Sequence, residues 1–488
     1  MKEVEHNKKA AEAVPIAKRF LWGLGGLTDK MMYAGINGLV DPIYNMAMGI
    51  DPRILGLARV IPHVADIIIN PLIGHLSDNT RTSWGRRRPW MLAGALLTAL
   101  TVIAMWFVPQ SLGRAFADAF VVVALVILFT FGYSLFTIPY NAQGYGLSTD
   151  YDERTHLFKW RHYAFTVAGL LTPWLPWLCI RLDIVWGGVR PAEANGLYGI
   201  HYVSLLVGGV ILLSAAAPIF GCDEGQPAPM GEARVPLVSA LRLTLRNRAF
   251  WPLLLGSFLV KLGMCSTGIF FIYLLIYHVA DGDKQAGTEL WGGFCTVINV
   301  ATLIAMAPVA WMTGKIGKKP AMLSLLALSA AAYASVWFTF QPHVVSQVWL
   351  LYTTAAAIGL FCNCLPLLMN AMLADVCDVD ELACGHQRQA FYSAILGTSD
   401  KLATGVGLLA QGFLLTASGF DPCAVTQKGE TIGFWLKALL IGQPVGFIAG
   451  FIILMAYPLT RAKALEVRAQ LASRKGGACG DGLKALKF

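Results

Sequence analysis

The chain has 488 residues, of which 56% are hydrophobic and only 14% are charged. A soluble protein carries about 25% charged residues, and this composition would leave it with large exposed apolar patches. The net charge of +9 comes from basic residues that lie between apolar stretches and form no single face. It therefore indicates a membrane surface rather than a nucleic-acid partner.

Apolar stretches of about 20 residues, long enough to cross a bilayer as helices, recur along the chain. They predict an all-α membrane protein, since the runs are about twice as long as barrel strands. The first six spans are predicted near 20–48, 53–77, 89–109, 116–143, 157–182 and 198–220. Six more are predicted near 250–280, 289–313, 320–340, 347–374, 389–417 and 432–458.

These spans divide the chain into two predicted bundles of six helices, at 20–220 and 249–458. A polar segment at 221–248 separates the bundles, and short polar ends flank them at 1–19 and 459–488. We expect a multi-pass protein of a bacterial-type inner (cytoplasmic) membrane.

Basic residues cluster in alternate connections between the spans. If every span crosses, these connections lie on one side, which the positive-inside rule makes cytoplasmic together with both termini and the central loop. The opposite side holds few basic residues, such as Arg53, Arg114 and Lys284. The clusters are Lys8, Lys9, Lys18 and Arg19; Arg81 and Arg86 to Arg88; Arg154 and Lys159; Arg234, Arg242, Arg246 and Arg248; Lys315, Lys318 and Lys319.

A short basic turn occurs at matching places in the two halves. Gly85 to Pro89 reads GRRRP between spans two and three, and Gly317 to Pro320 reads GKKP six spans later. A tight turn at a membrane surface favours Gly, Lys and Pro in any case, but the matched position favours an internal repeat. Parallel repeats of this kind build major-facilitator transporters.

The connection after span two carries the most specific motif. The sequence reads NPLIGHLSDNTR over Asn70 to Arg81 and WGRRRPW over Trp84 to Trp90. It resembles the glycoside–pentoside–hexuronide:cation symporters, the major-facilitator branch that includes melibiose permease. Further matches are WGLG at Trp22 to Gly25, IPY at Ile138 to Tyr140, the acidic turn Asp375 to Glu381, and FYS at Phe391 to Ser393. The resemblance implies twelve helices in two six-helix bundles, and sugar uptake coupled to protons, sodium or lithium by alternating access.

Four ionisable residues are predicted near the middle of the bilayer. They are Asp29, Lys30, Asp66 and Lys401, and each costs roughly 3 kcal/mol at that depth. Their common depth predicts one shared cavity.

Asp66 lies on a polar face of span two. Arg59, His63, Asp66 and Asn70 are spaced by four, three and four residues, so they follow one helical face. A carboxylate there can bind a proton or a hard cation. Alternatively, Asp66 pairs with Arg59 or His63 and only stabilises packing.

The resemblance assigns cation coupling to Asp66, Asn70 and Lys401. Asp66 matches the family's cation-site aspartate, but Asn70 stands where the family often has a second carboxylate. An amide oxygen can bind sodium but carries no charge and takes up no proton, which favours proton coupling through Asp66. Lys401 matches a lysine near the cation site that would hold Asp66 ionised; alternatively, it pairs with Asp400 in its own helix.

The resemblance also implies a sugar site. The family places an acidic residue near Asp29 or Lys30; these two could instead satisfy each other. If Lys30 faces the cavity, an acidic sugar such as a hexuronide becomes attractive. Galactoside specificity is not implied, because Thr137 replaces a sugar-binding aspartate. Substrate contacts are expected from Asp29, Lys30, Arg59, His63, Thr137, Asn141 and Arg161. Further polar residues could line the path or form hydrogen bonds between helices: Tyr33, Asn37, Lys261, Asn299, Asn363 and Asn370.

Charged residues at the inner ends of the spans are expected to form a cytoplasmic gate. Ion pairs between two bundles can hold one side shut and then separate. The candidates are Asp78, Arg81, Arg88, Asp150 and Arg154.

No sequence pattern indicates an enzyme. A Walker loop and a metal-ligand cluster are both missing from the sequence, so we expect no cofactor apart from a coupling cation, with any sodium at Asp66 being transported. A monomer that carries a small sugar or glycoside is the main hypothesis. The alternatives are a transporter of a lipid-like or drug-like amphiphile, and a receptor or scaffold that transports nothing.

Overall fold

The structure is a computed structural model that describes residues 15–108, 113–147, 151–222, 247–340, 348–384, 389–422 and 424–476. Within these ranges the chain is helical and contains no strand, which confirms the all-α prediction. Each long helical segment coincides with one of the apolar runs, because a helix satisfies every backbone polar group internally where no water is present.

The first half contains six helical segments. They are α1 over 16–47, α2 at Pro52–Asn79, α3 at Arg88–Ala104, α4 over 114–146, α5 over 151–185 and α6 at Gly199–Gly221. Two segments contain π-helical stretches, at Met31–Gly35 and Asp41–Ala47 in α1 and at Ile127–Gly132 in α4. Such stretches shift the register of the side chains that follow them.

The second half repeats this order. It contains α7 over 250–279, α8 at Lys284–Ile316, α9 over 318–339, α10 over 348–384, α11 at Gln389–Ala417 and α12 at Gly429–Met455, followed by a terminal helix, α13, at Arg461–Gly476. Nine helices in the described ranges are long and apolar enough to cross a membrane. The remaining three segments are α1, α3 and α11, so the full count of twelve spans stays a prediction.

Buried apolar side chains form two separate clusters. One is drawn from α1 to α6, between Trp22 and Cys222. The other is drawn mainly from α7 to α12, between Ala249 and Leu459, and includes Met46 from the first half. Each half therefore has its own core.

The two basic turns make the same contacts in both halves. Arg87 donates a hydrogen bond to a carbonyl of α4 at 2.7 Å, and Lys318 donates to a carbonyl of α10 at 2.7 Å. Arg88 donates at 2.7 Å to a carbonyl that follows α6, and Lys319 donates at 2.8 Å to one at the end of α12. Basic side chains suit these positions because helix ends leave carbonyls without partners. These paired contacts support the internal repeat.

The connection between α5 and α6 folds around one carboxylate. Asp183 is 1% exposed and accepts hydrogen bonds from four backbone amides, those of Asn195, Gly196, Tyr198 and Gly199. A buried charge needs this number of partners to be tolerated. Asp183 thereby fixes the start of α6.

Helices α2 and α11 cross between the halves with their backbones in contact. A Cβ atom at Gly412 would lie 2.3 Å from the Pro52 carbonyl oxygen, and one at Gly56 would lie 3.0 Å from the Leu408 carbonyl oxygen. Glycine is required at such positions because any side chain would force the helices apart. This contact sets the distance over which side chains of α2 and α11 meet.

Candidate functional site

A cavity of about 240 Å³ lies between the two halves. Helices α1, α2 and α4 form one wall, and α7 and α11 form the other. Its lining residues are mostly polar or ionisable: Tyr33, Pro62, His63, Asp66, Phe129, Tyr133, Lys261, Asp400, Lys401 and Thr404. Charged groups from both halves thus share one chamber.

Asp66 and Lys401 form an ion pair across this cavity. The Lys401 ammonium lies 2.5 Å from an Asp66 carboxylate oxygen, and the Ser134 hydroxyl donates to the other oxygen at 3.2 Å. The Asp66 side chain is 7% exposed and that of Lys401 is 39% exposed. The alternative pairings, Asp66 with Arg59 or His63 and Lys401 with Asp400, do not occur in the described part of the chain.

The polar face of α2 divides along its length. His63 and Asp66 line the cavity. Arg59 lies beyond it, buried, with a guanidinium nitrogen 2.8 Å from a carboxylate oxygen of Asp41 in α1. Asn70 does not line the cavity either, and its amide oxygen is buried without a donor among the described residues. The spacing of these residues predicts that they follow one face of α2, but it does not predict which neighbouring helices cover each part of that face.

Asp29 is paired within the first half. Arg161 of α5 donates to one Asp29 oxygen at 2.8 Å, and the hydroxyl of the cavity residue Tyr133 donates to the other at 2.9 Å. Lys30 turns away, with its ammonium 4.6 Å from the centre of the Phe165 ring. Lys30 makes no ion pair within the described ranges, so the alternative in which Asp29 and Lys30 satisfy each other is not observed.

Two further sugar-site candidates lie on α4 away from the cavity wall. The Thr137 hydroxyl donates to the Tyr133 carbonyl at 2.7 Å, and Thr137 is 9% exposed. The amide oxygen of Asn141 is buried and has no donor among the described residues. Their assignment to substrate binding stays a prediction.

Two charged cavity residues, Lys261 and Asp400, are not among the predicted coupling and sugar-binding residues. Lys261 interrupts an apolar span of α7, and a charge in such a run is itself a functional signal. The sequence predicts Asp400 as a possible helical partner of Lys401, but its carboxylate faces α7 and accepts a hydrogen bond from Ser257 at 2.8 Å. Two neighbours in a helix point about 100° apart, so Asp400 and Lys401 reach different partners.

The gate candidates are described only in part. Asp150 lies outside the described residues, and the side chains of Asp78 and Arg154 are likewise not described. Arg81 is exposed, and Arg88 donates to a carbonyl of its own half. The cytoplasmic gate therefore stays a prediction.

Hydrogen bonds between the halves extend from the cavity toward one end of the molecule. At the level of the cavity, Asn299 of α8 donates to a carbonyl of α5 at 3.3 Å. Further along, the indole of Trp174 donates to the Thr296 hydroxyl at 2.9 Å, and the Tyr273 hydroxyl donates to the Asn45 amide oxygen. We call this end of the molecule the bonded end. It carries the connections at 48–51 and 280–283.

Two helical halves that enclose a cavity of charged side chains define a secondary transporter of the major-facilitator class. The family model described as MFS/sugar transport protein matches residues 21–461. The chain belongs to this family, whose members are transporters and not enzymes. The resemblance to the glycoside–pentoside–hexuronide:cation symporters is thereby confirmed, as is the major-facilitator fold of a multi-pass membrane protein.

Known relatives are similar over most of their length. An uncharacterized symporter of Synechocystis sp. is 26% identical, with 88% of this chain and 91% of the relative covered. The glucuronide carrier protein homolog of Escherichia coli K12 is 24% identical, with 93% and 95% covered. The crystal structure of a D-xylose–proton symporter matches with a TM-score of 0.60 at 16% identity, covering 92% of this chain and 99% of that one. This last likeness concerns the fold alone.

Proposed function

We propose that the protein takes up a sugar or glycoside together with a cation, by alternating access of a cavity between its two halves. The observation that carries this proposal is the Lys401–Asp66 ion pair, which joins the halves across the cavity. In a family of sugar transporters, such a pair is a physical means of coupling an ion to the movement of the halves.

The coupling works through competition for Asp66. A proton or a cation that binds this carboxylate neutralises it and weakens its attraction for Lys401. The ion thus changes the free-energy difference between the state with the pair and the state without it, which is what a ligand must do to shift a conformational equilibrium. Substrate bound between the halves then completes the loaded state.

The positive-inside rule suggests which state the structure represents. The bonded end carries the connections with few basic residues, so under that rule it faces outward. The cavity is then closed to the outside, as expected after substrate has been brought in. Both termini would be cytoplasmic, in the inner membrane of a bacterial-type cell.

The charged side chains of the cavity wall support a hydrophilic substrate. Four of them lie on it, and an amphiphile would replace the water around these charges at a high cost. Lys261 lines the cavity and, like Lys30, forms no ion pair among the described residues. An acidic glycoside in the cavity would give the Lys261 ammonium a carboxylate, which supports testing acidic beside neutral sugars.

The side chains of α2 and α4 are compatible with two coupling cations, a proton and sodium. Asp66 can take up a proton, and Asn70 supplies no second charge, which favours proton coupling. The amide oxygens of Asn70 and Asn141, which have no donor among the described residues, are ligands that sodium accepts. Both ions therefore belong in the test.

Uptake into proteoliposomes tests the proposal. Radiolabelled isoprimeverose, lactose and methyl glucuronide are offered under an imposed proton gradient or an imposed sodium gradient. At least one is expected to accumulate, and only under one gradient. Asp66→Asn is expected to abolish accumulation. Asp281→Asn is the control and should leave accumulation intact. Asp281 is exposed in a turn with a φ of 50°, a conformation that asparagine tolerates. Accumulation by Asp66→Asn at the wild-type level would refute the coupling role.

A further inference from the structure

Asp400 is a second carboxylate of the cavity, contributed by the half opposite to that of Asp66. Its described partner is the Ser257 hydroxyl on α7, which donates to it at 2.8 Å. It forms no ion pair within the described ranges. Asp66, in contrast, already has the ammonium of Lys401 at 2.5 Å.

Lys261 lies four residues, about one helical turn, after Ser257 on the same helix and lines the same cavity. It interacts electrostatically with Asp400 on the same wall of the cavity, and the two form no ion pair among the described residues. The described titratable or charged groups around Asp400 are Lys261 and Cys265 on α7, His63 and Asp66 on α2, Tyr33 on α1, Tyr133 on α4, and Lys401 on its own helix. Asp400 is therefore in contact with a neutral group, the Ser257 hydroxyl, and lies near a cation, the Lys261 ammonium.

This arrangement suits a group that exchanges a proton. A neutral carboxylic acid can be buried beside a hydroxyl at modest cost, whereas an unpaired carboxylate cannot. The ionised form needs a cation, and Lys261 can supply one after a change of rotamer. The two partners thus correspond to two protonation states of one side chain.

We propose that Asp400 carries a proton through the transport cycle, and this rests on the function proposed above. Water of the outer compartment protonates one carboxylate oxygen of Asp400, and the acid remains beside Ser257 while substrate is loaded. The proton then leaves to water on the inner side, and the ammonium of Lys261, which keeps its own protons, pairs with the carboxylate. Asp400 thereby supplies the second acidic group that Asn70 lacks.

The first test compares gradient-driven accumulation with counterflow, using whichever of the three radiolabelled sugars the wild type accumulates. A gradient of one pH unit can drive about tenfold accumulation. Asp400→Asn is expected to lose this accumulation but to retain counterflow, because exchange of substrate between compartments needs no net proton movement. Asp281→Asn is the control and should retain both.

The second test needs no substrate. Infrared difference spectra of the purified protein between acid and neutral pH are expected to contain a protonated-carboxyl band that Asp400→Asn removes and Asp281→Asn keeps. If the wild type accumulates none of the three sugars, the proposed function fails, while this band still decides whether Asp400 exchanges a proton.

Three results would overturn the proposal. The first is accumulation at the wild-type level by Asp400→Asn. The second is the loss of both accumulation and counterflow in a folded Asp400→Asn protein. The third is an infrared band that this variant leaves unchanged. Should Asp400→Asn fail to fold, Asp400→Glu replaces it. This variant keeps a carboxylate, so we expect accumulation with a displaced pH dependence, and an unchanged pH profile would count against the role.

Discussion

The two members of the Asp66–Lys401 pair differ in exposure, so removing them should have unequal costs. Asp66 is 7% exposed and Lys401 is 39% exposed. Lys401→Gln leaves a buried carboxylate with only the Ser134 hydroxyl in contact, which should cost about 3 kcal/mol, at the lower end for a broken buried pair. Asp66→Asn leaves an ammonium that water can reach, so its cost should be about 1 kcal/mol.

A double-mutant cycle measures this difference. The double variant carries no unpaired charge, and we expect a coupling energy of about 1–3 kcal/mol. Thermal unfolding of the purified variants gives the stabilities, and initial uptake rates give the functional coupling. The control is Asp51 and Arg53, which pair at 2.7 Å but are 30% and 51% exposed and should couple by less than about 1 kcal/mol. Equal costs for the two single variants, or additive costs, would refute the argument from exposure.

Three further predictions concern stability and specificity. Asp183→Ala removes the acceptor of four backbone amides and should destabilise the protein by about 3–5 kcal/mol in thermal unfolding; a change below about 1 kcal/mol would contradict its role. Gly144→Ala places a Cβ 2.1 Å from the ring of Trp22 and should cost about 1–3 kcal/mol, whereas Gly209→Ala, with nothing within 4 Å of its Cβ, should be neutral or slightly stabilising. If Lys261 binds an acidic substrate group, Lys261→Gln should lower uptake of methyl glucuronide about tenfold more than that of lactose, and an equal loss for both sugars would exclude this contact.

Much of the fold could be predicted because the bilayer constrains the sequence strongly. Residues that must face lipid over a fixed thickness form apolar runs of the same length, and these runs coincide with the helical segments observed. The basic turns at 85–89 and 317–320 indicated a repeat because helix ends in both halves need the same carbonyl partners. The arginines of the first turn and the lysines of the second donate to helix-end carbonyls at 2.7 and 2.8 Å. Either residue type can therefore supply the donor that these carbonyls need.

The depth of the site residues in the membrane could be predicted from the sequence, but their interaction partners could not. Asp66 and Lys401 were placed at one level by counting residues along regular helices, and they do meet. Arg59 follows the same face as Asp66 but pairs with Asp41, because α1 covers that part of α2. The π-helical stretches of α1, at Met31–Gly35 and Asp41–Ala47, change the direction of its side chains, and no sequence pattern predicts them.

The distribution of ion pairs shows why coupling can be confined to a few residues. The pairs Asp29–Arg161 and Asp41–Arg59 lie within the first half, so they move with it and remain intact when the halves rock. Asp66 and Lys401 belong to different halves, and in the described part of the chain theirs is the cavity ion pair that such a motion must break. Under the proposed coupling, an ion that neutralises Asp66 acts on the relative position of the halves and leaves the ion pairs within the first half unchanged.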